Sequence, residues 1–196
     1  MRTSGDDGRV TIHSTHPFAD PDPDPARRFR GRLGGAVSLW TAGGQEGPRS
    51  RAGLTVSSLL LAAGEPTRLL ALVDPDSDLA DAVEATGRAV CHLLSWHHRD
   101  LAEMFAGLAP APGGLFRAAA FDPTPAGPRL ADASAWAMVS LESAVEVGWS
   151  RLLTVVVDRV QVADDDAPLL HRRGRYSTLD PLDRPGGPPA PPRVAP

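Results

Sequence analysis

From Gly34 to Tyr176 the chain is a succession of short apolar runs closed by turn residues, and this punctuation constrains the fold more than any other feature. "GGAVSLWTAGG" (Gly34 to Gly44) is bounded by glycines, and "LTVSSLLLA", "RLLALV" and "AVCHLLS" follow with turn residues between them. Runs of this length, aliphatic and β-branched and separated by Gly and Pro, read as strands. "SAWAMVSLESAVEVG" and "RLLTVVVDRVQVA" are long enough to curve and to pair as neighbours, and "PLLHRRGRY" reads as a closing strand. Two segments have helical spacing instead. In "SDLADAVEATG", Ser77 or Asp78 is the N-cap, Leu79, Ala82 and Val83 share a face and Gly87 is the stop; in "HHRDLAEMFAG", Leu101, Met104 and Phe105 share a face before Gly107. About seven strands and two short helices predict a mainly β domain, closed or nearly closed into a small barrel.

The two ends differ in kind. Residues 1 to about 25 carry "SGDDG" and "ADPDPDP", where alternating Pro and Asp leave nothing to bury. From Ser177 onward, "STLDPLDRPGGPPAPPRVAP" is Pro-rich and equally unable to pack. Disordered tails over 1–25 and 177–196 are therefore expected to flank one domain over 26–176. A chain of 196 residues with 42% hydrophobic content supports one core.

Composition excludes several functions. All 20 basic residues are arginine and are scattered along the chain, and the formal net charge is −4, so no electrostatic grip on nucleic acid or an anionic membrane is expected. Cys91 is the sole cysteine, which rules out an intrachain disulfide and a cysteine-based zinc cluster and fits a reducing cytoplasm. No apolar run approaches the ~20 residues a membrane helix needs. The glycine pairs lack the spacing of a phosphate loop, and no serine stands in a GxSxG elbow. His97 and His98 are adjacent and cannot share a helix face as ligands spaced i, i+4 do, so with His92 they predict no metal site.

The hydroxyls of "TVSS" need an account in a segment that otherwise reads as core. One is simple alternation, with Thr55 and Ser57 facing outward. The other groups Ser57 and Ser58 with Ser77, whose hydroxyls and neighbouring helix N-terminus bind a phosphate without a lysine and so suit a phosphorylated cofactor.

In order along the chain, "FRGRLGGAVSLWTA", "GLTVSSLLLAAGEPTRLLALV", "DSDLADAV", "LAEMFAG", "PRLADASAWAMVSLESAVEVG" and "PLLHRRGRY" resemble segments of the flavin reductase-like family, whose fold is the FMN-binding split β-barrel. The resemblance covers about Phe29 to Tyr176. It implies that Thr55, Val56, Ser57 and Ser58, then Val73, Asp74 and Ser77, hold the FMN phosphate and ribityl chain. It also implies that the strand after "TVSS" runs beside the flavin ring, and that His171, Arg173 and Tyr176 lie by the cofactor and a subunit contact. A homodimer binding FMN, with FAD as the alternative, using NAD(P)H and serving a partner oxygenase is the expectation that follows; no catalytic side chain is assigned.

The departures are specific. Leu59, Leu60 and Leu61 stand where many members have hydroxyl side chains, and His92 stands where the family often has Asn. Gly148, Trp149 and Ser150 replace the Gly-Asp-His linked to nicotinamide binding. That substitution weakens the case for NAD(P)H and keeps two alternatives open: a flavin- or ligand-binding barrel without a nicotinamide site, or an interaction protein using its Pro-rich tail. For the four tryptophans the default expectation is core or interface, with Trp149 also placed to cover a flavin face, and Cys91 reads as a small buried hydrophobe.

Overall fold

In the computed structural model of the protein, the described residues are 25–44, 47, 50–164 and 167–179. The expected tails therefore lie outside the described residues, apart from Pro25 and Ser177 to Leu179. The elements are α1 (Pro25–Arg32), β1 (Gly35–Ala36), β2 (Ser38–Ala42), β3 (Ala52–Val56), β4 (Leu59–Ala62), β5 (Arg68–Val73), α2 (Asp78–Thr86), β6 (Arg88–Leu93), α3 (Arg99–Phe105), β7 (Phe121–Thr124), β8 (Gly127–Leu130), β9 (Ala135–Val147), β10 (Ser150–Val162), β11 (Leu170–Arg172) and β12 (Arg175–Ser177).

Seven strands form an antiparallel sheet in the order β3-β2-β6-β9-β10-β5-β4. β3 and β4 are its two edges, yet only Ser57 and Ser58 separate them in sequence. Three Cα steps span at most about 11 Å, so the sheet has to curl until its edges meet at those two serines. Register shifts at Thr154/Val155 and Val157/Arg159 on the thirteen-residue strand β10 supply bends for that curl. The expected barrel is observed, and its seam lies at "SS".

This corrects "LTVSSLLLA", which is two strands on opposite edges rather than one. "PLLHRRGRY" is likewise a hairpin, β11–β12, paired through β1 into a separate three-stranded sheet. The β7–β8 hairpin has no strand-like sequence pattern, because Pro123 and Pro128 oppose each other in it. A two-stranded ribbon tolerates this, since a proline at an edge forfeits no ladder bond.

Among the described residues the core falls into two large clusters and a small one around Val90, Ala126 and Trp136. Trp40, Val56, Ala71, Val73, Leu79, Val83, Val139, Leu153 and Val155 fill the barrel. Val37, Leu39, Leu94, Leu101, Phe105, Leu130 and Leu169 form the second cluster, between β2, α3 and the segment leading to β11. Leu39 and Trp40 are successive residues that enter different clusters, so β2 is buried on both faces. That burial explains why Ser38 is fully satisfied: its hydroxyl donates to the Val56 carbonyl at 2.7 Å and accepts from Trp40 Nε1 at 3.1 Å. Gly53 is required where α3 crosses β3, because an added Cβ would sit 2.6 Å from the Phe105 ring.

Candidate functional site

The three sequence segments singled out above converge on the seam. Leu72 N–H donates to the Ser58 carbonyl at 3.1 Å, which ties the serines to the end of β5 and so to Val73 and Asp74. On the other side Gly35 pairs with His171, and a Cβ added at Gly35 would lie 3.3 Å from the Ser57 carbonyl oxygen. The lack of a side chain at Gly35 eases this close approach, and the β1–β11 pairing brings the C-terminal hairpin to the same corner.

Within that neighbourhood the ten predicted residues divide by what their polar groups already do. Thr55 Oγ1 donates to the Ala102 carbonyl of α3 at 2.8 Å, and Val56 and Val73 are core residues. Ser77 is the N-cap of α2: its hydroxyl accepts from Ala80 N–H at 3.3 Å and donates to the Asp74 carbonyl at 2.6 Å. Asp74 Oδ1 accepts from Asp76 N–H at 3.0 Å. Asp78 and Asp81 occupy the first turn of α2, so the positive end of this helix already faces carboxylates. Ser57 and Ser58 are exposed, and among the described residues neither hydroxyl has a partner.

His171 and Tyr176 pair across β11–β12 with ring centroids 5.7 Å apart in an edge-on arrangement. Burial, then the nearby Arg30 charge, holds His171 below the ordinary histidine range, and burial with Glu103 pushes Tyr176 up. Arg173 stands at the hairpin turn with φ 53 and donates its N–H to the Gly31 carbonyl at 2.8 Å.

The turn that departs from Gly-Asp-His is a two-residue link between β9 and β10, with Gly148 in the left-handed region at φ 59. Trp149 is 99% exposed there, whereas Trp40 and Trp136 are buried and Trp96 is half-buried. A core position for Trp149 is thus excluded, because the hairpin tip extends past the sheet that covers the other strands. Arg151, one residue beyond the turn, pairs in register with Val73 and Glu146 and forms an ion pair with Glu84 on α2. Its Nε is buried without a partner, and nothing in the local sequence distinguishes this arginine from the others.

His92 serves the fold. His92 is buried, its Nδ1 donating to the Leu39 carbonyl at 2.8 Å and its Nε2 accepting from Leu130 N–H at 3.0 Å. Burial pushes it down to about 4, the Arg129 and His98 charges adding to the effect against the opposing bond to Leu39. Cys91 is buried and its thiol is pushed up to about 12 by desolvation.

Contrary to the argument from adjacency, His97 and His98 do converge, on Asp132, with Nε2 to carboxylate distances of 3.5 and 3.2 Å. A 3-10 turn over Trp96–His98 rather than a helix face brings them together. Ser95 N–H donates to His98 Nδ1 at 3.1 Å, which leaves the proton on Nε2 facing Asp132. His97, His98 and Asp132 thus bring three ligand-capable atoms together, and the His98–Asp132 bond ties the α3 entrance to the β8–β9 turn. A wide groove between the β2–β3 turn and α2, lined by Arg51, Asp78, Asp81 and Arg88, contains none of the predicted residues.

Arginines that are scattered in sequence are not scattered in space. Arg28, Arg30 and Arg32 on α1 and Arg172, Arg173 and Arg175 on β11–β12 are exposed on two elements that touch. Residues about 140 positions apart are brought to neighbouring elements by the pairing of β1 with β11.

Comparison with known proteins agrees with this geometry. Residues 30–180 match the model of the flavin reductase like domain. The chain is 32% identical to the FMN reductase (NADH) RutF of Bradyrhizobium diazoefficiens over 165 residues, 84% of this chain and 89% of that protein. It is 27% identical over 93 residues to the 4-hydroxyphenylacetate 3-monooxygenase reductase component of Pseudomonas aeruginosa, 47% of this chain and 53% of that protein. The chain spans about half the length of the first curated relatives it matches. Among solved structures, the homolog of nitrilotriacetate monooxygenase component B from Mycobacterium thermoresistibile superposes with a TM-score of 0.73 at 21% identity, covering 86% of this chain and 90% of that one. The seam, the sheet order and a family match spanning nearly all the described residues lead to one conclusion: the chain belongs to the flavin reductase-like family.

Proposed function

We propose that the chain is an FMN-binding flavin reductase that holds its cofactor at the seam where β3 passes to β4. The observation that carries this reading is the pair of exposed, unpartnered hydroxyls of Ser57 and Ser58 at the one place where the sheet edges meet. Elsewhere in this neighbourhood the polar side chains of Thr55 and Ser77 are spoken for. Gly35 leaves a cradle beside Ser57 that a Cβ would fill, and the corner lies at the junction of the Val73–Ser77 segment with the His171–Tyr176 hairpin. These groups fit a phosphorylated flavin: hydroxyls for phosphate, and apolar strands for the ring.

When bound, FMN would supply two-electron redox chemistry. The chain's own residues bind and orient the two rings and keep water away from them. Arg173 borders this site by position. NADH is the donor named for the Bradyrhizobium relative, and a partner oxygenase is the acceptor implied by the monooxygenase component from Pseudomonas. With a single buried cysteine and no helix among the described residues long and apolar enough to cross a membrane, we read the protein as cytoplasmic.

The same reading includes a homodimer. On the outer face of β5, β10 and β9, Leu72, Leu152 and Val145 are register partners; Leu60 of β4, which pairs with Leu70, lies on the same face, and Trp149 is at the tip. Leu60 is 71% exposed and Trp149 99%, and a second copy placed against this face would cover both.

A visible spectrum of the purified protein titrated with FMN, followed by NADH and NADPH oxidation with added FMN or FAD, tests the function. Flavin-dependent oxidation supports it. Flavin binding without oxidation favours the alternative of a barrel lacking a nicotinamide site, to which the Gly148-Trp149-Ser150 turn points.

A further inference from the structure

We propose that the turn Trp96–His98 and the β8–β9 turn form a binding site for a divalent transition ion of the zinc class, with His97 Nε2 and Asp132 as its protein ligands and His98 as the residue that holds the carboxylate in place. One ligand-capable atom from each of the three residues lies within 4.8 Å of the other two. They come from turns more than thirty positions apart, so the grouping is a product of the fold. Both oxygens of Asp132 face histidines, Oδ2 toward His97 and Oδ1 toward His98, and among the described residues no arginine pairs with it. Arg99 and Arg129, the arginines nearest these residues in sequence, pair instead with Asp100 and Asp122.

Hydrogen bonding assigns the three roles. His98 is buried and both of its ring nitrogens are in use: Nδ1 accepts from Ser95 N–H at 3.1 Å, so Nε2 carries the proton and donates it to Asp132 Oδ1 at 3.2 Å. A protonated nitrogen is no metal ligand, and His98 orients the carboxylate instead. His97 is exposed, with its ring centroid 3.8 Å from that of His98, and its Nε2 keeps a lone pair whenever the proton sits on Nδ1. Desolvation opposes ionisation of Asp132, but the bond from His98 and the two histidine charges hold its carboxyl below the ordinary range, so the ligand is an anion at neutral pH. One carboxylate oxygen is thereby aimed at the ion while a buried donor fixes the other, which is how outer groups orient ligating ones.

The spacing suits such an ion. Bonds of about 2.0–2.2 Å to nitrogen and oxygen put neighbouring ligand atoms of a tetrahedron about 3.3–3.6 Å apart. His97 Nε2 stands 3.5 Å from Asp132 Oδ2. An imidazole with a carboxylate selects zinc, nickel or copper over magnesium and calcium, which take oxygen ligands. Two protein ligands leave the other positions to water, so exchangeable micromolar binding is expected rather than a closed structural centre. A bound ion ties the start of α3 to the β8–β9 turn and stabilises the folded chain by mass action. None of the three residues is among those at the seam, and the site stands independently of the reductase reading.

The test is calorimetric titration of the full-length chain with Zn2+ near neutral pH. One ion per chain should bind with a micromolar Kd and raise the melting temperature, whereas Mg2+ should do neither. Affinity should fall as the pH is lowered toward about 5.5, because the imidazole must be unprotonated to bind. His97→Ala and Asp132→Asn should each raise the Kd about tenfold or more. Both positions are exposed, and Asp132→Asn keeps an oxygen that accepts from His98, so the metal-free variants should melt as the parent does. His13→Ala with His16→Ala, which removes the histidines outside the described residues, should leave the Kd unchanged. In nitrogen-detected imidazole spectra Zn2+ should shift His97 Nε2 and leave the Nε2 proton of His98 in place. Loss of that proton on binding overturns the assigned roles. Unchanged affinity in both His97→Ala and Asp132→Asn, or no saturable heat up to about 1 mM Zn2+, overturns the site itself. So does binding that disappears with His13 and His16.

Discussion

At the scale of single residues, Ser57 and Ser58 are the proposed phosphate ligands, and His92 is a buried structural group with two backbone partners. Ser57 and Ser58 are exposed at the seam, so Ser57→Ala with Ser58→Ala should leave the melting temperature unchanged. FMN binding should weaken by ~1–3 kcal/mol per lost charge-assisted bond, with riboflavin nearly unaffected; equal loss for both flavins contradicts the phosphate assignment. Ser77→Ala should instead cost about 1 kcal/mol of stability, measured by urea unfolding, since its hydroxyl caps α2. The cap was legible because Ser, Asp and a terminal Gly bracket an apolar face; the commitment of Thr55 to the Ala102 carbonyl was not, since it depends on where α3 docks. His92 is held neutral, down from an ordinary value of 6.5 to about 4. The unfolded chain therefore takes up a proton that the folded one refuses. Stability from this residue is complete above pH 6.5 and declines as pH falls toward about 4, on the order of 3 kcal/mol in all. Denaturant midpoints at pH 7 and pH 4.5 should show the decline, and a His92→Gln variant that still folds should show less of it.

At the scale of elements, apolar runs bounded by turn residues located β2, β5, β6 and the long pair β9 and β10, with β3 and β4 read as one run. Patterning could not reveal that "LTVSSLLLA" breaks, because both halves are apolar and the break is forced by closure of the sheet rather than by a turn residue. Nor could it reveal the β7–β8 ribbon, whose opposed prolines resemble a loop. The outer face of β5 and β10 carries the prediction at this scale. Leu72→Glu with Leu152→Gln should convert a dimer to a monomer by light scattering, with the circular dichroism spectrum unchanged, because these residues point away from the core. A parent protein that is monomeric with FMN bound removes the basis for that interface.

For the whole molecule, one core, one barrel and one family were readable from the order of the segments. The convergence of arginines on α1 and the C-terminal hairpin was not readable, because it is created by a pairing between β1 and β11 that no local pattern encodes. The same limit hid the joining of His97 and His98 to Asp132. If the Gly148-Trp149-Ser150 turn is where the proposed reductase lacks a nicotinamide-docking motif, Trp149→Asp with Ser150→His should raise kcat/KM for NADH oxidation, measured with FMN saturating. The central claim, a flavin held at the seam and reduced there, is tested most directly by NADH oxidation measured while FMN is titrated into the full-length protein. Oxidation that rises and saturates with FMN, and that falls in the Ser57→Ala, Ser58→Ala variant at subsaturating FMN, is the predicted result. A protein that remains colourless in excess FMN and leaves NADH unconsumed would contradict it.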